Sequence, residues 1–132
     1  MTVYVADTHM LLWYLFSPNK LSEEVLNVLS SMGEDDLLVI PALVVAEMMM
    51  VVEKQRIQAT MDQLKTVLSA LQLEESCLFP PLTSEDILAS ASLQQIPDIF
   101  DRLIAFEAHK RNAILITRDE VLTQSDLVKT IW

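Results

Sequence analysis

The chain has 132 residues, 52% of them hydrophobic, and it carries 19 acidic side chains against 9 basic ones, for a net charge of −10. A simple nucleic-acid-binding protein is expected to be basic, so this balance argues against a polyanionic partner. The longest apolar run, residues 37–46, stops at Glu47 and is far shorter than the roughly 20 residues of a membrane span.

The length suits one domain over residues 1–132 with a substantial core. The amino terminus lacks the basic segment of a signal peptide, and the single cysteine, Cys77, fits a reducing compartment, so we expect a cytoplasmic protein. Gly33 is the only glycine, which excludes a glycine-rich phosphate-binding loop. The high mean hydropathy of +0.33 requires a covering surface, and we expect self-association or a protein partner.

Taken in chain order, the apolar patterns alternate between strands and helices. The predicted strands cover residues 3–6, 37–40, 78–79, 113–116 and 127–131. The predicted helices cover residues 9–16, 22–33, 41–54, 59–71, 83–93 and 99–110, with a short helical turn after Asp119. Ser22 and Asp98 are suited to cap helices, Thr83 with Asp86 resembles a capping box, and Gly33 suits a C′ position. This alternation predicts an α/β fold with a central parallel sheet flanked by helices on both faces.

Four carboxylates stand where parallel strands end or where neighbouring helices begin. Asp7 and Asp119 follow strands, Glu47 lies in an otherwise apolar helix, and Asp101 opens the helix that Asp98 caps. Each has a structural alternative, since aspartates often cap helices and a buried glutamate is often paired with an arginine. Because ligands bind at the carboxyl ends of parallel strands, all four can converge there. Clustered carboxylates suit a hard cation, Mg²⁺ or Mn²⁺.

Four sequence blocks resemble the motifs of PIN-domain nucleases, in particular the VapC-type toxins of toxin–antitoxin pairs. The blocks are Asp7-Thr8-His9-x-x-Leu-Trp, Pro41-Ala42-x-x-x-Ala46-Glu47, Pro97-Asp98-x-Phe100-Asp101-Arg102-Leu103-Ile104-Ala105 and Leu115-Ile116-Thr117-Arg118-Asp119-Glu120. They occur in order over nearly the whole chain, which closes with residues 128–132. The chain departs from the family at Phe106, Glu107 and His109, where small residues are usual, and in its acidity.

The resemblance implies that Asp7, Glu47, Asp101 and Asp119 hold one or two divalent cations, and that the protein hydrolyses single-stranded or loop RNA. It also implies a small cognate antitoxin as a partner. We expect Asp7 and Asp101 to hold the main cation, Glu47 to act through water or orient the nucleophile, and Asp119 to complete the shell or a second site.

Further side chains are candidates for contact with the substrate. Thr8 and Thr117 are suited to bind a phosphate or a water, and Arg102 and Arg118 are suited either to phosphates or to surface ion pairs. His9 is expected to pack or cap rather than act as a base.

The methionines at 48–50 and the apolar first helix predict a homodimer or an antitoxin contact. Two other functions remain open. One is another metal-dependent phosphohydrolase, although a haloacid-dehalogenase-type enzyme would need an aspartate where His9 stands. The other is a PIN-fold RNA- or protein-binding module with little nuclease activity.

Overall fold

The computed structural model describes residues 1–132 and has a five-stranded sheet at its centre. The strands are β1 (Val3–Ala6), β2 (Leu37–Val39), β3 (Cys77–Leu78), β4 (Ile114–Ile116) and β5 (Lys129–Ile131). Their order is β3-β2-β1-β4-β5, and every neighbouring pair is parallel. The carboxyl ends of all five strands therefore lie at one edge, with β1 in the middle. The predicted α/β class and parallel sheet are confirmed.

Seven α-helices connect and cover these strands. They are α1 (Thr8–Phe16), α2 (Glu23–Ser30), α3 (Ala42–Glu53), α4 (Met61–Gln72), α5 (Ser84–Ala89), α6 (Ile99–Arg111) and α7 (Glu120–Gln124). Two short 3₁₀ segments, Pro18–Lys20 and Ser90–Leu93, follow α1 and α5. None of these helices is both long and apolar enough to span a bilayer.

The core lies between the central strands and the helices that pack on them. It is a cluster of 24 buried hydrophobic residues, in which Val5, Ala6, Leu115 and Ile116 contribute the ends of β1 and β4 with no exposed surface. Contacts of α1 with α3 and of α6 with both β1 and α3 surround the same strand ends. Packing therefore fixes the positions from which Asp7, Glu47, Asp101 and Asp119 extend.

Two predicted helix boundaries are wrong for local reasons. Helix α2 ends at Ser30 rather than near Gly33, and its C-cap is Ser31, whose hydroxyl donates to the Asn27 carbonyl (2.7 Å). Gly33 instead lies in the following turn, where its N–H donates to the Asp36 carboxylate (2.9 Å).

Helix α4 begins at Met61 because Thr60 and Gln63 form a complete capping box, which the sequence analysis missed. At α5 the Thr83 hydroxyl accepts from the Asp86 N–H (3.1 Å), so the predicted N-cap is present. The Asp86 carboxylate accepts from Lys110 (3.1 Å).

Candidate active site

Asp7 lies at the carboxyl end of the central strand and caps α1. One of its oxygens accepts from the Thr8 N–H (2.7 Å), and the other accepts from the Thr117 hydroxyl (2.6 Å). Burial raises the pKa of Asp7, against the lowering effect of these two hydrogen bonds, and the charge of Asp119 raises it further. Asp7 therefore caps α1 and is also part of an acidic cluster.

Asp119 follows β4 and caps α7 through a hydrogen bond from the Leu122 N–H (3.0 Å). Its own N–H donates to the Thr117 hydroxyl (3.0 Å), which in turn donates to Asp7. The buried Thr117 therefore links the acids that follow β1 and β4. A single hydroxyl fixes the relative position of the two loops at this edge of the sheet.

Glu47 extends from α3 toward the same edge and does not form the ion pair considered above, since the salt bridges of the structure involve other residues. Its partner is the buried Thr8 hydroxyl, which donates to Oε1 at 2.9 Å. Burial raises the pKa of Glu47, with a smaller contribution from the charge of Asp7. Thr8 therefore links Glu47 to Asp7, because its hydroxyl donates to the first carboxylate and its N–H to the second.

Asp101 is free to contribute to this cluster because Asp98 caps α6. The Asp98 carboxylate accepts from the N–H groups of Phe100 (2.8 Å) and Asp101 (3.1 Å), so the Asp101 side chain has no capping bond to make. Burial, together with the negative charges of its four neighbours Asp119, Asp98, Asp7 and Glu47, raises the pKa of Asp101 to about 6. The four predicted acids thus lie near enough to oppose one another's ionisation.

The donor chemistry of this cluster fits Mg²⁺ or Mn²⁺, because it supplies carboxylate oxygens only. As the side chains stand, no three of them are close enough together to hold one ion. Rotation of the partly exposed Asp101, Glu47 and Asp119 side chains is needed to bring their oxygens onto a common ion.

The other predicted residues are divided between this cluster and its surroundings. Thr8 and Thr117 are in the cluster, but both hydroxyls donate to carboxylates. The Arg102 guanidinium donates to the Ile96 carbonyl (2.9 Å) beside the start of α6. Arg118 is exposed and lies over an aromatic ring, that of Trp13, at 4.9 Å.

The sequence analysis assigned no site role to the two tryptophans. An open pocket of about 380 Å³ beside the acids is lined by Asp7, His9, Met10, Trp13, Arg118, Asp119 and Trp132. Trp13 lies on α1 and Trp132 follows β5, so their proximity depends on how the two elements pack. The only signal in the sequence was the presence of one tryptophan in the first motif and one in the closing residues 128–132.

Comparison with known proteins agrees with this fold. The family model described as PIN domain matches residues 4–126. The structure is similar to that of VapBC2 from Rickettsia felis bound to a DNA fragment from its promoter (18% identity, 99% of each chain covered, TM-score 0.74). It is also similar to VapBC-1 from nontypeable Haemophilus influenzae (19% identity, 98% of this chain and 97% of that chain, TM-score 0.69).

A third similar structure is a toxin–antitoxin complex from Klebsiella pneumoniae (18% identity, 100% of this chain and 97% of that chain, TM-score 0.66). No curated protein sequence gives a significant match. At these identities the structural similarity establishes the fold alone, whereas the family match covers most of the chain.

Proposed function

Because the chain belongs to the PIN domain family, we propose that it is a metal-dependent ribonuclease that hydrolyses phosphodiester bonds in single-stranded or loop RNA. The observation that carries this proposal is the convergence of Asp7, Glu47, Asp101 and Asp119 from four separate elements at the carboxyl edge of the sheet. A purely structural network would pair these acids with cations, but none of the four forms a salt bridge.

In this proposal Asp7 and Asp101 hold the main Mg²⁺ or Mn²⁺ ion, and Glu47 and Asp119 complete the site. When bound, such an ion lowers the pKa of a coordinated water and offsets negative charge on the phosphate. The chain itself supplies orientation. Thr117 fixes the Asp7 carboxylate through the 2.6 Å hydrogen bond, and Thr8 fixes Glu47 through the 2.9 Å bond. In the proposed reaction Glu47, whose pKa is raised by burial, would orient the attacking water and accept its proton.

We further propose that the protein is the toxin of a toxin–antitoxin pair in the cytoplasm, inhibited by a small cognate antitoxin. The support is the similarity of fold to a chain of a complex that is itself described as toxin–antitoxin. Apolar side chains on α3, Met49 and Met50, are 43% and 42% exposed and favour a protein contact, with an antitoxin or with a second copy.

Cleavage of single-stranded RNA in Mg²⁺, in Mn²⁺ and in EDTA tests the enzymatic proposal directly. We expect cleavage with either metal, none in EDTA, and a greater loss for Asp7→Asn or Asp101→Asn than for Asp119→Asn. The matched control is Asp62→Asn, which removes an exposed first-turn acid of α4 and should leave cleavage unchanged. Full activity in EDTA, or hydrolysis of p-nitrophenyl phosphate in place of RNA, would contradict the proposal.

A further inference from the structure

The only two tryptophans of the chain meet beside the carboxylate cluster. The rings of Trp13 and Trp132 lie 5.7 Å apart between centroids, at an interplanar angle of 66°. The exposed His9 ring, one helical turn before Trp13 on α1, lies 5.7 Å from the Trp13 ring between centroids. Both tryptophans are partly exposed and line the same open pocket as Asp7 and Asp119. Flat aromatic surface is therefore accessible next to the proposed reaction centre.

Cationic side chains surround this aromatic surface, although the protein as a whole is strongly acidic. The Arg118 guanidinium lies 4.9 Å and the Lys20 ammonium 6.0 Å from the centre of the Trp13 ring. Lys54 and Arg56 are exposed on the adjoining loop after α3. These are four of the nine basic residues, and none of the four takes part in a salt bridge. Their charge is available to an anionic ligand.

The surface cavities that hold these cations adjoin one another through shared side chains. The first cavity, which Trp132 and Arg118 line, shares His9 and Trp13 with a second cavity of about 410 Å³ that Lys20 and Arg56 also line. The second cavity shares His9 and Arg56 with a third, smaller cavity of about 170 Å³ beside Glu47. Together these three adjoining cavities form a groove at the start of α1, with Asp119 lining the first of them and Glu47 the last.

We propose that this groove is the binding site for the nucleotides that flank the scissile phosphate. One nucleobase stacks against the Trp13–Trp132 pair, and the adjacent backbone phosphates contact Arg118, Lys20 and Arg56. Aromatic side chains bind bases of single-stranded nucleic acid by stacking, and lysine and arginine bind its phosphates. This inference rests on the proposed ribonuclease function and adds to it the residues that bind the substrate strand.

The stacking contact is tested by a cycle of protein and substrate changes. Trp13→Leu should raise KM for a short RNA by about 5- to 150-fold, the range found for loss of one stacked base, with a much smaller change in kcat. An RNA with one abasic nucleotide next to the cleavage site should show a similar rise with the wild-type enzyme. When the Trp13→Leu enzyme acts on the abasic RNA, KM should rise little more than it does for either change alone. Trp13→Phe should restore most of the loss, and Tyr14→Leu, which removes the exposed neighbouring aromatic residue, should leave KM unchanged.

The opposing interpretation is that Trp13 and Trp132 only attach the end of the chain to α1. In that case Trp13→Leu lowers the melting temperature, and its effect on KM is the same for intact and for abasic RNA. Additive effects would overturn the proposal. If Trp13→Leu does not fold, Trp132→Leu provides the same cycle, because Trp132 is partly buried and lies outside the 24 buried residues of the core cluster.

Binding measurements keep this inference separate from the proposed catalysis. Both tryptophans lie in the groove, so quenching of intrinsic fluorescence in the non-cleaving Asp101→Asn protein reports its occupancy by RNA. Arg56→Gln should reduce the slope of log Kd against log salt by about 0.7, the contribution of one phosphate contact to a single strand. Lys65→Gln, an exposed lysine on α4, should leave the slope unchanged. Cleavage of RNA by the wild-type protein without quenching in Asp101→Asn, or equal slopes for Arg56→Gln and Lys65→Gln, would refute the groove. Quenching in Asp101→Asn without cleavage by the wild-type protein would refute only the nuclease proposal.

Discussion

Replacing Asp101 by asparagine is expected to stabilise the metal-free protein at pH 7.5. In the folded chain the pKa of Asp101 is raised from 3.8 to about 6 by burial and by the neighbouring carboxylates. A raised pKa means that the folded state binds the proton more tightly than the unfolded state. The stability from this group is therefore fully present below pH 3.8 and is lost as the pH rises through about 6.

The size of the effect follows from the pKa shift. A rise from 3.8 to about 6 corresponds to about 3 kcal/mol at full strength. Because the Asp101 side chain is only partly buried, solvent screening reduces this to about 1–2 kcal/mol. For a chain of this length, that free energy raises the melting temperature by about 3–8 °C. The same reasoning predicts that the metal-free wild-type protein is more stable near pH 5 than near pH 7.5.

The assay is thermal unfolding of the wild-type and Asp101→Asn proteins in EDTA and in Mg²⁺. In EDTA at pH 7.5 the variant should melt higher, and at pH 5 the difference should shrink. Mg²⁺ should stabilise the wild type by mass action, by about 2.7 kcal/mol at a concentration 100 times Kd, and should have little effect on the variant. Asp62→Asn is the control, because it also removes a first-turn carboxylate but lies outside the cluster. That control should lower the melting temperature slightly through the helix dipole.

A structural ion-pair network predicts the opposite result, since removal of one partner leaves an uncompensated charge. If Asp101→Asn melts lower than wild type in EDTA, and if Mg²⁺ shifts neither protein, the carboxylates are not a metal site. The predicted stabilisation by Asp101→Asn, which depends on repulsion between the carboxylates, would then be refuted as well.

Three further predictions concern positioning, capping and association. Thr117→Val removes the 2.6 Å hydrogen bond to Asp7, so it should lower RNA cleavage and move the acidic limb of the pH–rate profile to higher pH. Thr60→Ala removes the capping box of α4 and should lower the free energy of unfolding by about 1 kcal/mol in denaturant titrations, with cleavage unchanged. Met49→Lys should shift the protein toward monomer in size-exclusion chromatography with light scattering, at a wild-type melting temperature. Leu88→Lys, at a residue that is 77% exposed on α5, is its control and should leave the oligomeric state unchanged.

The sheet and the convergence of the acids could be predicted because both follow from local patterns. An apolar β-branched strand that ends in an aspartate places that residue at the carboxyl edge of a parallel sheet, and this holds for Asp7. Likewise, Asp98 at the start of α6 leaves Asp101 without a capping role, as its spacing of three residues suggested. In both cases the necessary information lies within a few residues of the acid itself.

The partners of these acids could not be predicted, because they come from distant parts of the chain. Glu47 accepts a hydrogen bond from Thr8, 39 residues away, which depends on the packing of α1 against α3. Thr117 reaches Asp7 across 110 residues through the pairing of β1 with β4. The contact between Trp13 and Trp132 is of the same kind, since each residue alone is compatible with core, surface or interface. A periodic pattern identifies the face of a helix, but it does not identify the side chain on the facing element.

A net charge of −10 does not oppose the proposed binding of RNA, because the charges are unevenly distributed. Exposed charges are screened beyond about 8 Å at physiological ionic strength, so a phosphate in the groove interacts with its near neighbours rather than with the whole protein. Glu85, in the first turn of α5, is remote in sequence from the four cations Lys20, Lys54, Arg56 and Arg118. The carboxylates at the reaction centre are the exception, and a bound divalent cation would offset part of their charge. RNA affinity should therefore depend on a few local cations and on the metal, and both dependences are accessible to salt and EDTA titrations.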